Sequence, residues 1–288
     1  MRSQLSDARL DEPPIQLAPR EFEQIRQLAY NTFGLDLKPG KEELVSARLR
    51  RLVRDGGFRS FGSYYRSVIT DTTGVSLAAL IDALTTNHTS FMREPDHFTF
   101  LRSEILPRYT ARTGVELWSA ACATGEEVWS LAAILSETLP NRRHRISASD
   151  ISQKALSTAE QAIYPRDRCL GVPPDWFGRH LVRSGHTPET WRVSAPLREM
   201  VSFRRLNLLQ SYSWGRLFPI IFCRNVMIYF DRPTQERVVA QLTASLEPGG
   251  YLFVGHAESL TRVSHSLEYV RPAVYRKPDH RSVSWKTS

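Results

Sequence analysis

The chain has 288 residues, with 38 lysines and arginines against 30 aspartates and glutamates, a net charge of +8, and a composition that is 41% hydrophobic and 24% charged. This is ordinary for a globular protein with a sizeable core, and the basic excess favours acidic partners (nucleic acid, a membrane surface or an acidic protein) without choosing among them. No apolar stretch approaches the roughly 18 residues of a membrane span, no signal sequence opens the chain, and Cys122, Cys169 and Cys223 are too scattered for a disulfide framework or a zinc site, so a cytoplasmic setting is expected.

Residues 1–17 are polar, carry Pro13-Pro14 and read as a flexible leader. Pro19 suits a first helical position, Phe22, Ile25, Leu28 and Ala29 recur at helical spacing, and Gly34 is a stop. Further helices are expected over residues 41–54, 61–69 and 76–85, with no strand among them. Residues 18–86 therefore read as a small all-helical domain, and residues 87–112 as a linker and the start of the next domain. On the second helix Val45, Leu49, Leu52 and Val53 share one side and Arg48, Arg50, Arg51 and Arg54 the other. That positive ridge is either a solvated face or a docking surface.

After Thr113-Gly114 strands alternate with helices. Strands are expected at 115–121, 145–149, 218–223 and 251–254, and helices at 126–139, 152–163 and 233–246. Such alternation implies a parallel sheet covered on both faces. Residues about 166–200 break the rhythm and read as an inserted small antiparallel β subdomain, with Thr190 to Val193 a short strand. Leu267 to Tyr275 reads as a closing hairpin, and residues 278–288 as a flexible tail. The fold class is thus α/β, Rossmann-like over 113–277, behind a helical domain.

Open α/β sheets bind ligands beyond the carboxyl ends of their strands. The first strand runs into Ala120-Ala121-Cys122-Ala123-Thr124-Gly125-Glu126-Glu127, where small residues admit a close ligand and Gly125 permits a tight turn. One glycine is too few for a dinucleotide fingerprint. Asp150 ends the second strand and is placed either to accept ribose hydroxyls or to cap the following helix. Phe203 to Leu209 reads as a further strand leading into a loop, where Asn207 either bonds an adenine edge or serves the turn. Arg224-Asn225 interrupts an apolar run that ends in Tyr229-Phe230-Asp231, which a plain buried strand does not explain. No residue pattern suggests a metal site.

Thr86-Asn87-His88-Thr89-Ser90-Phe91-Met92-Arg93-Glu94, the Thr124 to Glu127 turn, Asp150, Asn207-Leu208, the run from Phe222 to Asp231 and Gly255-His256-Ala257-Glu258-Ser259 together resemble the chemotaxis receptor glutamate O-methyltransferase (CheR) family in order and spacing, over residues 18–277. Met92 stands where the family usually has a phenylalanine, and Cys122-Ala123 where serines are common. The resemblance implies S-adenosyl-L-methionine as cofactor, S-adenosyl-L-homocysteine as product, and methylation of glutamate carboxylates on the cytoplasmic helices of methyl-accepting chemotaxis receptors. Carried over by motif, Asn87, Thr89, Arg93, Glu127, Asp150, Asn207, Leu208, Asn225 and Val226 would contact the cofactor. Arg93 would orient a carboxylate near the methyl group, with Tyr229 either a secondary positioning group or an aromatic core residue. The arginine ridge would face acidic receptor helices. Direct membrane insertion and nucleic-acid binding are not expected. The rivals are a methyltransferase for nucleic acid, which lacks a stacking platform and an Asn/Asp-Pro-Pro-aromatic tetrad here, and a non-catalytic cofactor-binding or scaffold domain.

Overall fold

A computed structural model describes residues 15–185 and 189–279; the polar leader up to residue 14 and the tail from residue 280 lie outside them. The chain divides into two compact units, one ending at Leu84 and the other beginning at Thr85.

Among the described residues the first unit holds four helices, α1 (Pro19–Phe33), α2 (Glu42–Asp55), α3 (Phe61–Thr70) and α4 (Val75–Leu84). Phe22, Ile25, Ala29 and Phe33 bury one face of α1 at the expected spacing, and Gly34 ends the helix with φ 74°. Glu21 has two tasks. Its Oε2 accepts from the Ala18 N–H at 3.0 Å, capping α1, and its Oε1 accepts from the Gly62 N–H at 2.6 Å, tying α1 to the first turn of α3. On α2, Val45, Leu49 and Val53 are buried, whereas Leu52 is only half-buried. Each such aliphatic contributes about 1.5–3 kcal/mol on burial.

The second unit opens with α5 (Pro95–Phe100), which continues through a wide turn at Leu101–Ile105 and a tight one at Leu106–Tyr109. The elements that follow are β1 (Glu116–Ala120), α6 (Glu126–Thr138), β2 (Arg145–Asp150), α7 (Gln153–Gln161), β3 (Ile163–Pro165), β4 (Leu181–Arg183), β5 (Thr190–Val193), α8 (Ala195–Arg198) and β6 (Val201–Arg205). The last five are β7 (Phe218–Cys223), α9 (Arg232–Ser245), β8 (Leu246–Phe253), β9 (Glu268–Arg271) and β10 (Val274–Arg276). Seven strands form one sheet in the order β6-β2-β1-β7-β8-β10-β9. The first five are mutually parallel, and the β9–β10 hairpin closes the sheet antiparallel to β8. Hydrophobic clusters cover both faces, around Leu117, Ile220 and Phe253 on one side and Trp118, Ile221 and Leu252 on the other. Both faces being buried explains why β7 reads as an unbroken apolar run.

The small antiparallel sheet has the order β3-β5-β4. Its first strand corrects one expectation. Ile163 was expected to end a helix, but Ala162 takes a left-handed conformation with φ 53°, α7 stops at Gln161, and Ile163 pairs with Arg192. The buried Tyr164 explains the gain: its hydroxyl donates to the Thr124 carbonyl at 2.7 Å and accepts from Trp129 Nε1 at 2.8 Å. Propensity alone does not register that pair of bonds.

Candidate active site

The order of strands reverses at β1. From β1 the chain passes to β2 and then β6 on one side, and returns to β7 on the other. The crevice beyond the carboxyl ends of β1 and β7 is the topological switch point, the place where open α/β sheets take ligands. Ala120 and Cys223, the last residues of those strands, are paired neighbours.

The loop after β1 is held by β2. Cys122 N–H donates to the Ser149 carbonyl at 2.9 Å, and Ala123 N–H to Asp150 Oδ2 at 2.8 Å. Ala121 and Ala123 both have positive φ, 60° and 47°. Met92, Glu94 and Asn225 share this left-handed conformation, so five of the eight such non-glycine residues among those described lie in the segments around the crevice, where the fold maintains strain that isolated residues avoid. Gly125, with φ 94°, makes the turn into α6 and also clears space beside it. A Cβ there would come within 2.8 Å of the Ala159 Cβ and 3.0 Å of the Tyr164 hydroxyl, so this glycine lets α6 start against α7 and β3.

Asp150 is 7% exposed, and its second oxygen accepts from the Ser152 N–H at 2.9 Å. The helix cap is Ser152 itself, whose Oγ accepts from Ala155 N–H and also from Asn87 Nδ2 at 3.2 Å. Asp150, Ser152 and Asn87 thus form one cluster at the end of β2. Leu206 N–H donates to the Asp150 carbonyl, which brings the segment after β6 alongside. There Asn207 Oδ1 accepts from Leu209 N–H at 3.0 Å, the turn chemistry named from sequence, and the Leu208 carbonyl accepts from Gln241.

A second cluster lies at the end of β7 and centres on Arg224, whose side chain is 1% exposed. Its Nη1 donates to Glu127 Oε2 at 2.9 Å, and its Nη2 to Glu94 Oε2 at 2.8 Å and to the Arg93 carbonyl at 2.5 Å. Glu127 also accepts from Ser119 Oγ at 2.7 Å. Its neighbour Glu126 turns the other way, to Thr124 and Arg168, and burial raises its carboxyl above the ordinary range despite Arg168. Burial also acts to raise Glu94. The bond and charge of Arg224, with bonds from Asn225 and the His256 N–H, outweigh it and hold Glu94 below its ordinary value. Asn225 Nδ2 donates to Glu94 Oε1 at 3.2 Å, and the Asn225 N–H to Glu258 Oε2 at 2.7 Å. Glu258 accepts three further backbone bonds, from Gly255, Met227 and Ile228. Burial is the largest influence on its carboxyl and raises it, with those N–H groups opposing.

Among the residues expected at the site, Arg93, Glu127 and Asn225 are joined through Arg224 and Glu94, and Asn87 is joined to Asp150 through Ser152. The Arg93 guanidinium folds back, donating from Nη1 to the His88 carbonyl at 3.0 Å. Thr89, Val226 and Tyr229 are half-buried, Tyr229 ending a short turn over Met227–Tyr229. The ridge arginines lie on α2 in the helical unit. Arg50, Arg51 and Arg54 are exposed, while the half-buried Arg48 donates from Nη1 to the Leu84 carbonyl at 2.5 Å, so Arg48 does not stand with the other three. Arg51 and Arg54 both reach Asp55.

Sequence reasoning assigned no role to Glu94, Glu258 or His97. Glu94 and Glu258 sit inside quoted motifs, which is the signal that could have found them. His97 carried none. It is 1% exposed, and burial, reinforced by the charge of Arg224, brings its ring down to about 3, so the imidazole is neutral. The donor set suits an adenosyl sulfonium ligand: a carboxylate ends β2 where a ribose diol would approach, small residues line the loop after β1, and amide and carboxylate groups meet beyond β7.

Residues 87–275 match the family model described as CheR methyltransferase, SAM binding domain, and residues 20–85 that described as CheR methyltransferase, all-alpha domain. The chain is 35% identical over 274 residues to the chemotaxis protein methyltransferase of Borreliella burgdorferi, covering 91% of this chain and 96% of that one. It is 37% identical to chemotaxis protein methyltransferase 2 of Pseudomonas aeruginosa, over 88% of this chain and 92% of that one. With the chemotaxis protein methyltransferase of Escherichia coli it shares 35% identity over 90% and 91%. Both structural units are matched, and with them the crevice that the strand reversal creates: the chain belongs to the CheR family of S-adenosylmethionine-dependent methyltransferases.

Proposed function

We propose that this methyltransferase esterifies glutamate side chains on the cytoplasmic helices of chemotaxis receptors, in a cytoplasmic setting. The cofactor supplies an electrophilic methyl group on a sulfonium. A glutamate side chain, with an ordinary pKa near ~4.3, is already an anion at neutral pH, so the reaction needs no general base. The protein has to bind, align and desolvate the two reactants.

The observation that carries this reading is the link from Arg224 to the Arg93 carbonyl, 2.5 Å, which with the bond from Arg224 to Glu94 fixes the backbone that bears the Arg93 guanidinium. A cation on a clamped segment suits the alignment of an incoming carboxylate. In this reading Asp150 holds the ribose, Asn207 and Leu208 the adenine end, and Asn225 and Val226 the methionine portion. Asn87, Thr89, Arg93 and Glu127 complete the cofactor's surroundings, and Tyr229 positions the substrate. Arg50, Arg51 and Arg54 present positive charge to acidic receptor helices, which is the reason for preferring an acidic protein over nucleic acid.

Incubation of the protein with methyl-labelled cofactor and receptor-rich membranes, with nucleic acid in a parallel reaction, tests the reading. Base-labile label on receptor protein is expected. Label confined to nucleic acid, base-stable label on protein, or no label overturns it.

A further inference from the structure

The fold brings His256 to Glu94 and His97, two metal-ligating side chains that lie three positions apart in the sequence, His256 being 162 positions beyond Glu94. One carboxylate oxygen of Glu94 and one ring nitrogen each of His97 and His256 lie within 4.8 Å of one another. The setting of His97 is what makes the cluster unusual. It is 1% exposed, yet neither ring nitrogen has a hydrogen-bond partner, although Nδ1 stands only 3.4 Å from Glu94 Oε2. A buried polar group left in this way costs about 1–3 kcal/mol, and native folds rarely carry one without a reason. His256 meets His97 edge to face at a centroid distance of 4.7 Å and is itself exposed, so the cluster has a way in from solvent.

We propose that Glu94, His97 and His256 form a binding site for a divalent cation of the zinc class. Two imidazoles and a carboxylate are the donor types such an ion prefers, and three protein ligands leave the solvent side for water. Ligands about 2.0–2.2 Å from one ion lie closer together than 4.8 Å, and a swing of the exposed His256 ring closes the set. Glu94 is oriented from behind by the His256 N–H, 3.3 Å from each of its oxygens, the kind of outer contact that fixes a metal ligand.

Arg224 is the group that opposes a cation here. Two carboxylates, Glu94 and Glu127, offset its charge. When Glu94 turns to a metal, Arg224 keeps Glu127 and the Arg93 carbonyl, so the ion replaces one partner of three and leaves no orphaned guanidinium.

The test uses the full-length protein, stripped with a chelator and then titrated with cobalt chloride, followed by visible absorption, and with zinc chloride, followed by calorimetry. The expected result is one ion per chain, with cobalt ligand-field bands that zinc displaces. His256→Ala, at an exposed position where alanine keeps the backbone N–H that bonds Glu94, should weaken binding by about 100-fold, while His265→Ala should leave it unchanged. Failure of the intact protein to bind either ion one to one overturns the proposal. So does binding that His256→Ala leaves intact, which would mark adventitious surface histidines instead.

Discussion

Arg224, the residue after β7, reaches back 97 positions to place its Nη1 2.9 Å from Oε2 of Glu127 in the first turn of α6. That bond crosses the strand-order reversal and joins the two sides of the crevice. With Glu94 as the second acceptor, it makes one buried guanidinium the hub through which three separate segments keep their positions.

Replacing Arg224 by glutamine should leave the buried Glu127 and the half-buried Glu94 without their cation. Breaking a buried pair from one side typically costs about 3–5 kcal/mol. Urea denaturation is expected to show a loss in that range, with cofactor affinity reduced alongside. Arg224→Lys should fall between the two, since one ammonium cannot span both carboxylates as a planar fork does.

Arg93 is the residue on which the proposed chemistry most depends. Arg93→Ala should lower turnover by about 100-fold, the scale on which misalignment of a reactant acts. Stability should change little, because the bond to Arg224 is made by the Arg93 carbonyl, which alanine retains. Full turnover with normal cofactor affinity, measured by single-turnover kinetics and calorimetry, would remove Arg93 from the mechanism.

Gly255 permits the turn that brings Glu258 under Asn225. A Cβ at this position would lie 2.5 Å from Asn225 Nδ2 and 2.8 Å from Glu258 Oε2. Gly255→Ala is therefore expected to cost about 1–3 kcal/mol, as overpacking does, and to raise the Michaelis constant for the cofactor more than it lowers stability-corrected turnover.

The ridge on α2 should act on the protein substrate alone. Changing Arg50, Arg51 and Arg54 together to alanine is expected to slow methylation of intact receptor by about tenfold at low salt, the scale of electrostatic steering, and to leave cofactor affinity as it is. High salt should erase most of the difference. Arg48→Ala should instead register in the thermal stability of the helical unit, because its guanidinium donates to the Leu84 carbonyl.

His144 gives the fold an acid sensitivity. Its Nδ1 accepts from the Val115 N–H at 3.2 Å and its Nε2 faces the Leu139 carbonyl at 2.8 Å, so a proton on Nδ1 displaces the first bond. Burial, with the charge of Arg142 adding to it, holds the ring below its ordinary value against the raising effect of Leu139. The unfolded chain then binds the proton first as pH falls. Stability from this group is present in full above about 6.5 and is lost as pH drops below it. His144→Gln should flatten the pH dependence of the denaturation midpoint over that range. An unchanged slope would mean that another group carries it.

Much of this protein was legible in its sequence because the signals were local. The periodicity of α1, the apolar run of β7 and the alternation of strand and helix follow from which faces must be buried, and Gly34 marks the end of α1 through its own backbone freedom. The ordered motifs carried the family, and with it the cofactor. Other features are set by contacts between distant segments. Tyr164 and its bonds to Thr124 and Trp129 turn Ile163 from helix into strand. Arg48, one turn from its exposed neighbours, is drawn to a carbonyl 36 residues away. Above all, no spacing rule brings Glu94, Glu127, Arg224, His97 and His256 into one neighbourhood. Only the reversal of strand order at β1 and the burial that follows it decide which charges meet, because the free energy of a buried ion depends on partners that the linear chain does not name.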